Sequence, residues 1–152
     1  AVSIVPAVVK KARDFDGTVL FTRDTHGEDY METQEGKYLP VAHCIRGTEG
    51  WELIPELEEM KASRKAQCFD KPAFGSVALA EALRAMYEAG ELGSVELVGL
   101  CTDICVVSNA LLIKAFMPEL PVSVDASCCA GVTPEKHAAA LETMRSCQIQ
   151  IL

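Results

Sequence analysis

The chain has few basic residues for its length. Its 152 residues include 14 Lys and Arg against 22 Asp and Glu, a formal net charge of −8, and the basic residues are scattered. Nucleic acids and anionic membrane surfaces attract clustered positive charge, so the composition argues against both as partners. No apolar run approaches the ~18 residues that a transmembrane helix needs, and we find no signal-peptide pattern in the sequence.

The sequence also lacks a C-x-x-C pair. Its seven cysteines are odd in number and include the adjacent residues Cys128 and Cys129. This spacing fits neither a secreted disulfide framework nor a zinc finger, so we expect a cytoplasmic protein. The adjacent pair leaves two interpretations open: redox chemistry, or two small residues near the end of a strand.

Apolar patterns with the strand period alternate with patterns that have the helix period. With 49% hydrophobic residues, residues 1–152 can form one domain with a substantial core. The patterns predict strands over 18–22, 66–69, 95–100, 122–124 and 148–152, and helices over 4–15, 51–61, 76–89, 102–116 and 133–146. We therefore expect an α/β fold, a Rossmann-like three-layer sandwich with a mostly parallel central sheet flanked by helices. In such sheets the active crevice lies beyond the carboxyl ends of the strands.

The most informative stretch runs from the apolar strand over 95–100 into a helix. Gly99 would allow close backbone approach, and Thr102 and Asp103 offer side chains that could cap the helix. Cys105 would then lie in the first turn, where backbone N–H groups and the helix dipole favour a thiolate. It is a candidate nucleophile, with the N–H groups of Cys101 and Cys105 as a candidate oxyanion hole. The alternative is a buried cysteine acting as a small hydrophobic residue.

A polar loop over residues 23–44 contains two of the three histidines. Asp24 and His26 could present a carboxylate and an imidazole to one cation, and His43 could supply a third ligand. Glu28 and Glu35 could be extra ligands, or they could accept hydrogen bonds from the residues that bind the cation. The alternative is a polar surface loop with two ordinary histidines.

Two further residues carry weaker signals. Lys71 follows a predicted strand and could stabilise a thiolate and a developing negative charge, although most lysines are simply solvated. His137 falls within a predicted helix, and we expect it to be an ordinary exposed or half-buried histidine rather than a ligand.

Together these segments resemble the isochorismatase-like cysteine hydrolases, and within them most closely the nicotinamidase (pyrazinamidase) branch. The resemblance extends over residues 17–131 and rests on segments 22–26, 39–40, 43–44, 47–48, 70–71, 98–99 and 102–106, with Phe74 and Ser76. The Thr-Asp-Ile-Cys-Val turn at 102–106 is typical of the superfamily. Asp24, His26 and His43 point to the nicotinamidase branch, because metal-free relatives lack that set.

The resemblance implies a catalytic mechanism. Cys105 would attack a carboxamide carbon with Lys71 as its partner, and the backbone at Cys101 and Cys105 would hold the oxyanion. A cis peptide would join Leu100 to Cys101. Ammonia would leave, and water would hydrolyse the thioester.

The resemblance also implies a cofactor and a substrate. Asp24, His26 and His43 would bind a divalent metal, zinc or alternatively iron or manganese, which would orient the pyridine nitrogen. The substrate would be nicotinamide or a similar small amide, so that the enzyme would serve NAD salvage. A homo-oligomer is compatible with such folds.

One departure from the family pattern concerns the catalytic aspartate. The family places it on a first strand, and the printed sequence has no counterpart, because Asp14 and Asp16 precede the wrong strand. We expect that strand in the parent protein. Thr25 stands where some nicotinamidases carry an aromatic residue, which would alter the pocket wall. Two alternatives therefore stay open: a related hydrolase of another small amide or of isochorismate, and a ligand-binding pseudoenzyme.

Overall fold

The computed structural model describes residues 2–152. In chain order the helices are α1 (Val5–Asp14), α2 (Gln34–Tyr38), α3 (Pro55–Arg64), α4 (Val77–Glu88), α5 (Val107–Phe116) and α6 (Pro134–Ser146). The strands are β1 (Phe21–Asp24), β2 (Cys68–Lys71), β3 (Val95–Leu100), β4 (Val122–Ala130) and β5 (Gln150–Ile151). The predicted α/β class is confirmed, since every pair of neighbouring strands is parallel.

The chain divides into two compact units. The larger comprises the residues up to Phe15 together with Phe74–Leu152, and the smaller is Asp16–Ala73. Each unit contains its own parallel strands and its own helices. The prediction of one domain over the whole chain stays a prediction.

The larger unit is built on the sheet β3-β4-β5. Val95 lies opposite Val122 and Leu97 opposite Val124, and the register then shifts so that Gly99 faces Cys129. Because β4 bulges there and continues, it runs to Ala130, well beyond the predicted end of that strand. Apolar side chains from α5, α6, the sheet and the segments that connect them form the core: Ala110, Ile113, Met117, Leu120, Val124, Met144 and Ile149.

Two helices of the larger unit begin where the sequence predicted. Ser76 caps α4 by accepting a hydrogen bond from the Leu79 N–H at 3.2 Å. Thr133 caps α6 in the same way, accepting from the Lys136 N–H at 3.2 Å, with Pro134 as the first helical residue. These caps satisfy backbone donors that the first helical turn leaves unpaired.

An ion cluster fastens α1 to the sheet. The Lys11 ammonium pairs with Glu96 on β3 and lies 2.6 Å from Asp125 on β4. Hydrogen bonds to Asp125 and then Glu96 raise the pKa of Lys11 above its ordinary value. Burial alone would raise the pKa of Asp125, but hydrogen bonds from Lys11 and Ser127 outweigh it and lower that pKa to about 2.

The smaller unit pairs β1 with β2, placing Asp24 opposite Lys71. Both strands start and end a few residues later than predicted, so these two candidate site residues are the last residues of strands. The predicted loop over residues 23–44 is partly ordered, by a 3-10 turn at Tyr30–Glu32 and by α2. Pro55 begins α3 because its fixed φ suits the first helical position.

Among residues 2–152, no helix combines the length and the apolar character needed to cross a membrane.

Candidate active site

The turn that holds Cys105 begins where β3 ends. The peptide bond between Leu100 and Cys101 is cis. Residues Thr102–Val106 then form a π turn, in which the Cys101 carbonyl accepts from the Val106 N–H at 3.0 Å. Helix α5 continues directly from this turn, so Cys105, 9% exposed, lies in the first turn of a longer helical segment. Single π turns of this kind are frequent at functional sites.

The predicted capping of this turn is wrong, because Thr102 and Asp103 are engaged elsewhere. The buried Thr102 hydroxyl shares a 2.8 Å hydrogen bond with Nδ1 of His137 on α6. The Asp103 carboxylate accepts from the Val132 N–H at 2.9 Å. The predicted role of Gly99, which was to allow close backbone approach, is also wrong. A Cβ there would meet no atom within 4 Å, but a φ of +117° is one that residues with a side chain rarely adopt.

A buried amide, which the sequence analysis missed, holds the Cys105 backbone. Asn109 is 4% exposed, and its Nδ2 donates to the Cys105 carbonyl at 2.8 Å and to the Phe74 carbonyl at 3.1 Å. Its Oδ1 accepts from the Ser76 N–H at 2.9 Å. Two carbonyls need donors and one N–H needs an acceptor, so these partners fix the amide orientation. Asn109 thereby joins the turn that holds Cys105 to the start of α4.

In the smaller unit, the structure brings together two predicted site residues, Lys71 and Asp24. The Lys71 ammonium forms an ion pair with Asp24 on the neighbouring strand and donates to the Ala73 carbonyl at 3.3 Å. Lys71 is only 3% exposed, so it is not a solvated surface lysine. A lysine buried to this degree needs a paired charge, and Asp24 supplies it.

A second polar group of the smaller unit consists of His26, Glu35 and His43. One potential ligand atom from each lies within 4.8 Å of the others. Nε2 of His26 is 3.6 Å and Nε2 of His43 is 3.7 Å from the same Glu35 oxygen. This group differs from the predicted ligand set in one member, because Glu35 joins the two histidines while Asp24 pairs with Lys71.

The two imidazoles differ in their hydrogen bonding. Nδ1 of His43 lies 2.8 Å from the Val41 carbonyl, which can only accept, so Nδ1 carries a proton and Nε2, beside Glu35, is the nitrogen that could bind a cation. Nε2 of His26 is buried and has no hydrogen-bond partner within residues 2–152. A buried nitrogen without a hydrogen-bond partner lowers the stability of the fold unless a ligand binds it. Two imidazoles and a carboxylate suit a divalent transition metal.

A tyrosine and a glycine hold this group in place. The Tyr30 ring packs against His26 and His43, with ring centres 4.8 and 5.0 Å away, and its hydroxyl donates to the Leu39 carbonyl. At Gly36, one residue after Glu35, a Cβ would stand 2.1 Å from the Tyr30 carbonyl oxygen. Only glycine permits this approach, which places α2 and its glutamate beside the tyrosine.

The residue between Asp24 and His26 is also held by side chains. Thr25 is buried, and its hydroxyl accepts from the Trp51 indole N–H at 2.8 Å. The guanidinium of Arg23 lies 3.4 Å from the centre of the Trp51 ring and pairs with Asp70. Thr25 therefore supports the loop by binding Trp51.

The full sequence also matches a protein-family model. The isochorismatase domain model matches residues 1–152. The chain belongs to the isochorismatase family. As a member of that family it is a hydrolase, and the predicted family is confirmed.

Several relatives of this family member are known. It is 27% identical over 145 residues to a Bacillus subtilis protein described as an uncharacterized isochorismatase family protein PncA, covering 91% of this chain and 77% of that protein. A pyrazinamidase/nicotinamidase from Streptococcus mutans matches with a TM-score of 0.84 and 25% identity, covering 100% of this chain and 86% of that one. A Pyrococcus horikoshii pyrazinamidase in complex with zinc matches with a TM-score of 0.77 and 27% identity, covering 98% and 84%.

The adjacent cysteines of this family member lie away from solvent. Cys128 and Cys129 are both buried on β4. Burial raises the pKa of both thiols, that of Cys129 to about 11. Thiol–disulfide exchange requires a thiolate, so these shifts favour the interpretation of two small core residues over redox chemistry.

Proposed function

We propose that this isochorismatase-family hydrolase is a metal-assisted cysteine amidohydrolase. Its substrate would be nicotinamide or a similar small amide such as pyrazinamide, and its products the corresponding acid and ammonia. The observation that supports this most is the group His26, Glu35 and His43, with a buried Nε2 that lacks a hydrogen-bond partner among the described residues. The likeness to a pyrazinamidase/nicotinamidase and to a pyrazinamidase in complex with zinc supports the same choice.

The proposed metal ligands are His26, Glu35 and His43. Asp24, which the family resemblance also assigns to the metal, would be a fourth, its carboxylate shared with Lys71. When bound, a divalent cation would supply a Lewis-acid position for the ring nitrogen of the substrate. The chain's own part is to hold the three side chains together through Tyr30 and Gly36 before any cation arrives.

Cys105 is the proposed nucleophile. Its sulfur attacks the carboxamide carbon, the C–N bond breaks, and the thiol proton leaves with the nitrogen as ammonia. Water then adds to the thioester, giving the carboxylic acid and restoring the thiol. We propose that the N–H groups of Cys101 and Cys105 bind the oxyanion and that Lys71 stabilises negative charge. We assign no residue of this chain to the aspartate of the family mechanism.

The test of the nucleophile is ammonia release from nicotinamide. Cys105→Ala should lower kcat by about a thousandfold or more, because the covalent route is lost. Cys147→Ala, at the end of α6, is the matched control and should keep wild-type activity. Equal release by wild type and Cys105→Ala would exclude Cys105 as the nucleophile.

The test of the metal ligands measures binding directly. Glu35→Gln should weaken zinc binding, followed by competition with a chromophoric chelator, by about tenfold or more, as loss of a carboxylate ligand does. Glu28→Gln, an exposed residue of the same segment, should leave the affinity unchanged. Full amidase activity after replacement of Asp24, His26 and His43 by alanine would instead favour a metal-independent hydrolase of another small amide.

A further inference from the structure

The turn that holds Cys105 is tied to the start of α6 by two consecutive side chains. Thr102, which has no exposed surface, shares its hydroxyl hydrogen bond with Nδ1 of His137. Asp103 accepts from the Val132 N–H in the segment that leads into α6. Both side chains therefore point from the nucleophile turn to one region of the fold, and Cys105 lies two residues beyond them.

This contact is closely fitted. At Gly131 a Cβ would stand 2.8 Å from the Asp103 carboxylate and 2.9 Å from the His137 backbone nitrogen. The His137 N–H in turn donates to the Thr133 carbonyl at 2.9 Å within the first turn of α6. The backbone of His137 is thus fixed by its own helix, and the start of the helix is fixed by the Thr133 cap. A rigid partner is what a side chain needs if it is to hold another segment in place.

A π turn needs such support. Its hydrogen bonds join residues five apart, as in the bond from the Val106 N–H to the Cys101 carbonyl, and this geometry occurs in proteins mostly as isolated single turns. Relaxation to an α-helical turn would remove one residue from the turn. Because each helical residue spans about 100°, that change would rotate Cys105 relative to α5 by about the same angle. Helix α5 itself is anchored by Ala110 and Ile113 in the core, so the turn would be the part that moves.

We propose that His137 is a positioning residue for the nucleophile. Through Thr102 it keeps the turn in its π form and so keeps Cys105 directed as the chemistry requires. This inference rests on the proposed function, in which Cys105 is the attacking group. It assigns a role to a histidine that lies outside the group His26, Glu35 and His43, and that the sequence analysis expected to be ordinary.

The test compares substitutions that keep or remove the atom facing Thr102. His137→Asn places an amide near the position of Nδ1 and can both donate and accept, whereas His137→Gln extends the amide to the position of Nε2. His137→Ala and Thr102→Val remove the bond, and Thr102→Ser keeps the hydroxyl. Thr143→Val is the matched control, because the Thr143 hydroxyl bonds only within α6, to the Ala139 carbonyl at 3.0 Å.

Two rates are measured: alkylation of Cys105 by iodoacetamide at pH 7, mapped by mass spectrometry, and kcat with nicotinamide. His137→Ala and Thr102→Val should slow both by about tenfold or more, because a rotated Cys105 loses the N–H groups that favour its thiolate. KM should stay within about twofold of wild type. His137→Asn and Thr102→Ser should recover most of both rates, His137→Gln should not, and Thr143→Val should match wild type.

The outcomes separate this inference from the proposed function. If Cys105 of the wild type reacts no faster than Cys147, the proposed nucleophile is wrong and the positioning role with it. If Cys105 is reactive in the wild type and equally reactive in folded His137→Ala, only the positioning role is refuted. Equal recovery by His137→Gln and His137→Asn would also refute it. Should His137→Ala fail to fold, the comparison of the Asn and Gln variants still decides.

Discussion

Replacing the buried amide of Asn109 by a carboxyl group tests how the Cys105 backbone is held. Asn109→Asp keeps the size and keeps an acceptor for the Ser76 N–H. It removes both donor bonds, to the carbonyls of Cys105 and Phe74. A buried polar group left without its partner costs about 1–3 kcal/mol, so two carbonyls predict a loss of about 2–6 kcal/mol, with carboxylate–carbonyl repulsion pushing it toward the upper end.

The same substitution predicts a pH dependence of known sign. Burial opposite two carbonyl oxygens disfavours the charged form, so the new carboxyl should have a higher pKa in the folded than in the unfolded protein. The folded variant then binds more protons, and its stability relative to wild type falls as pH rises through and above about 4. At lower pH the protonated carboxyl can donate one bond, and the difference from wild type should shrink.

The assay is urea unfolding at pH 7 and at pH 4, followed by circular dichroism. Thr143→Val removes an exposed hydroxyl and should stay within about 0.5 kcal/mol of wild type at both values. An Asn109→Asp variant as stable as wild type at pH 7 would show that these two donor bonds do not hold the turn. A loss that is identical at the two pH values would refute the argument from burial of charge.

Three further predictions concern the other contacts. In the wild type, the ion pair with Lys11 keeps Asp125 charged down to its lowered pKa, so this ion pair's stabilisation is lost as pH falls from about 4 to about 2. Lys11→Met should remove that stabilisation, which is measured by acid titration of the free energy of unfolding. Trp51→Phe loses the bond to Thr25 and should cost about 1–3 kcal/mol in urea unfolding. Gly36→Ala forces a Cβ to within 2.1 Å of a backbone carbonyl, so it should lower zinc affinity, measured by chelator competition, at least as much as Glu35→Gln.

Each of these has a result that would contradict it. If the free energy of unfolding changed with pH in the same way in wild type and Lys11→Met, the ion cluster would not stabilise the fold as argued. A Trp51→Phe variant with wild-type stability would mean that solvent replaces the indole donor. Unchanged zinc affinity in folded Gly36→Ala would show that the proposed metal ligands do not depend on the packing of α2 against Tyr30.

Local sequence signals predicted the elements of the fold well. The extents of α4 and α6 agree with the prediction to within a residue or two, and their caps at Ser76 and Thr133 are confirmed. Errors fell where tertiary contacts decide the outcome. Strand β4 was predicted to end at 124 but runs on to Ala130, because a bulge restores its pairing with β3 beyond Asp125. The charged and small residues at 125–130 show no strand pattern by themselves.

The candidate site was predicted in its residue types but not in its contacts. The sequence pointed to Cys105, Lys71 and the two histidines, because reactive side chains stand out at strand ends. The bonds that fix Thr102 and Asp103 join residues that are 35 and 29 positions apart in the chain, respectively. No local pattern contains that information, so the sequence predicts no positioning role for Asn109 or His137 and indicates Glu35 only as one of two extra candidate ligands.

The wrong capping prediction is itself informative about the chemistry. A helix that begins with Thr-Asp would ordinarily use one of these side chains to bind the N–H groups of its first turn. A capping carboxylate would place negative charge beside those groups and compete with a thiolate for them. In this turn no side chain forms a capping hydrogen bond within the described residues, since Asp103 is bound to Val132 and Thr102 to His137. The contacts with the α6 region therefore do two things at once: they hold the π turn, and they keep a carboxylate away from the N–H groups that Cys105 would use. A chain in which Asp103 returned to the capping position should keep its helix and lose the reactivity that we propose for Cys105. For that reason we expect restoring an ordinary cap to be more harmful to Cys105 reactivity than to folding stability.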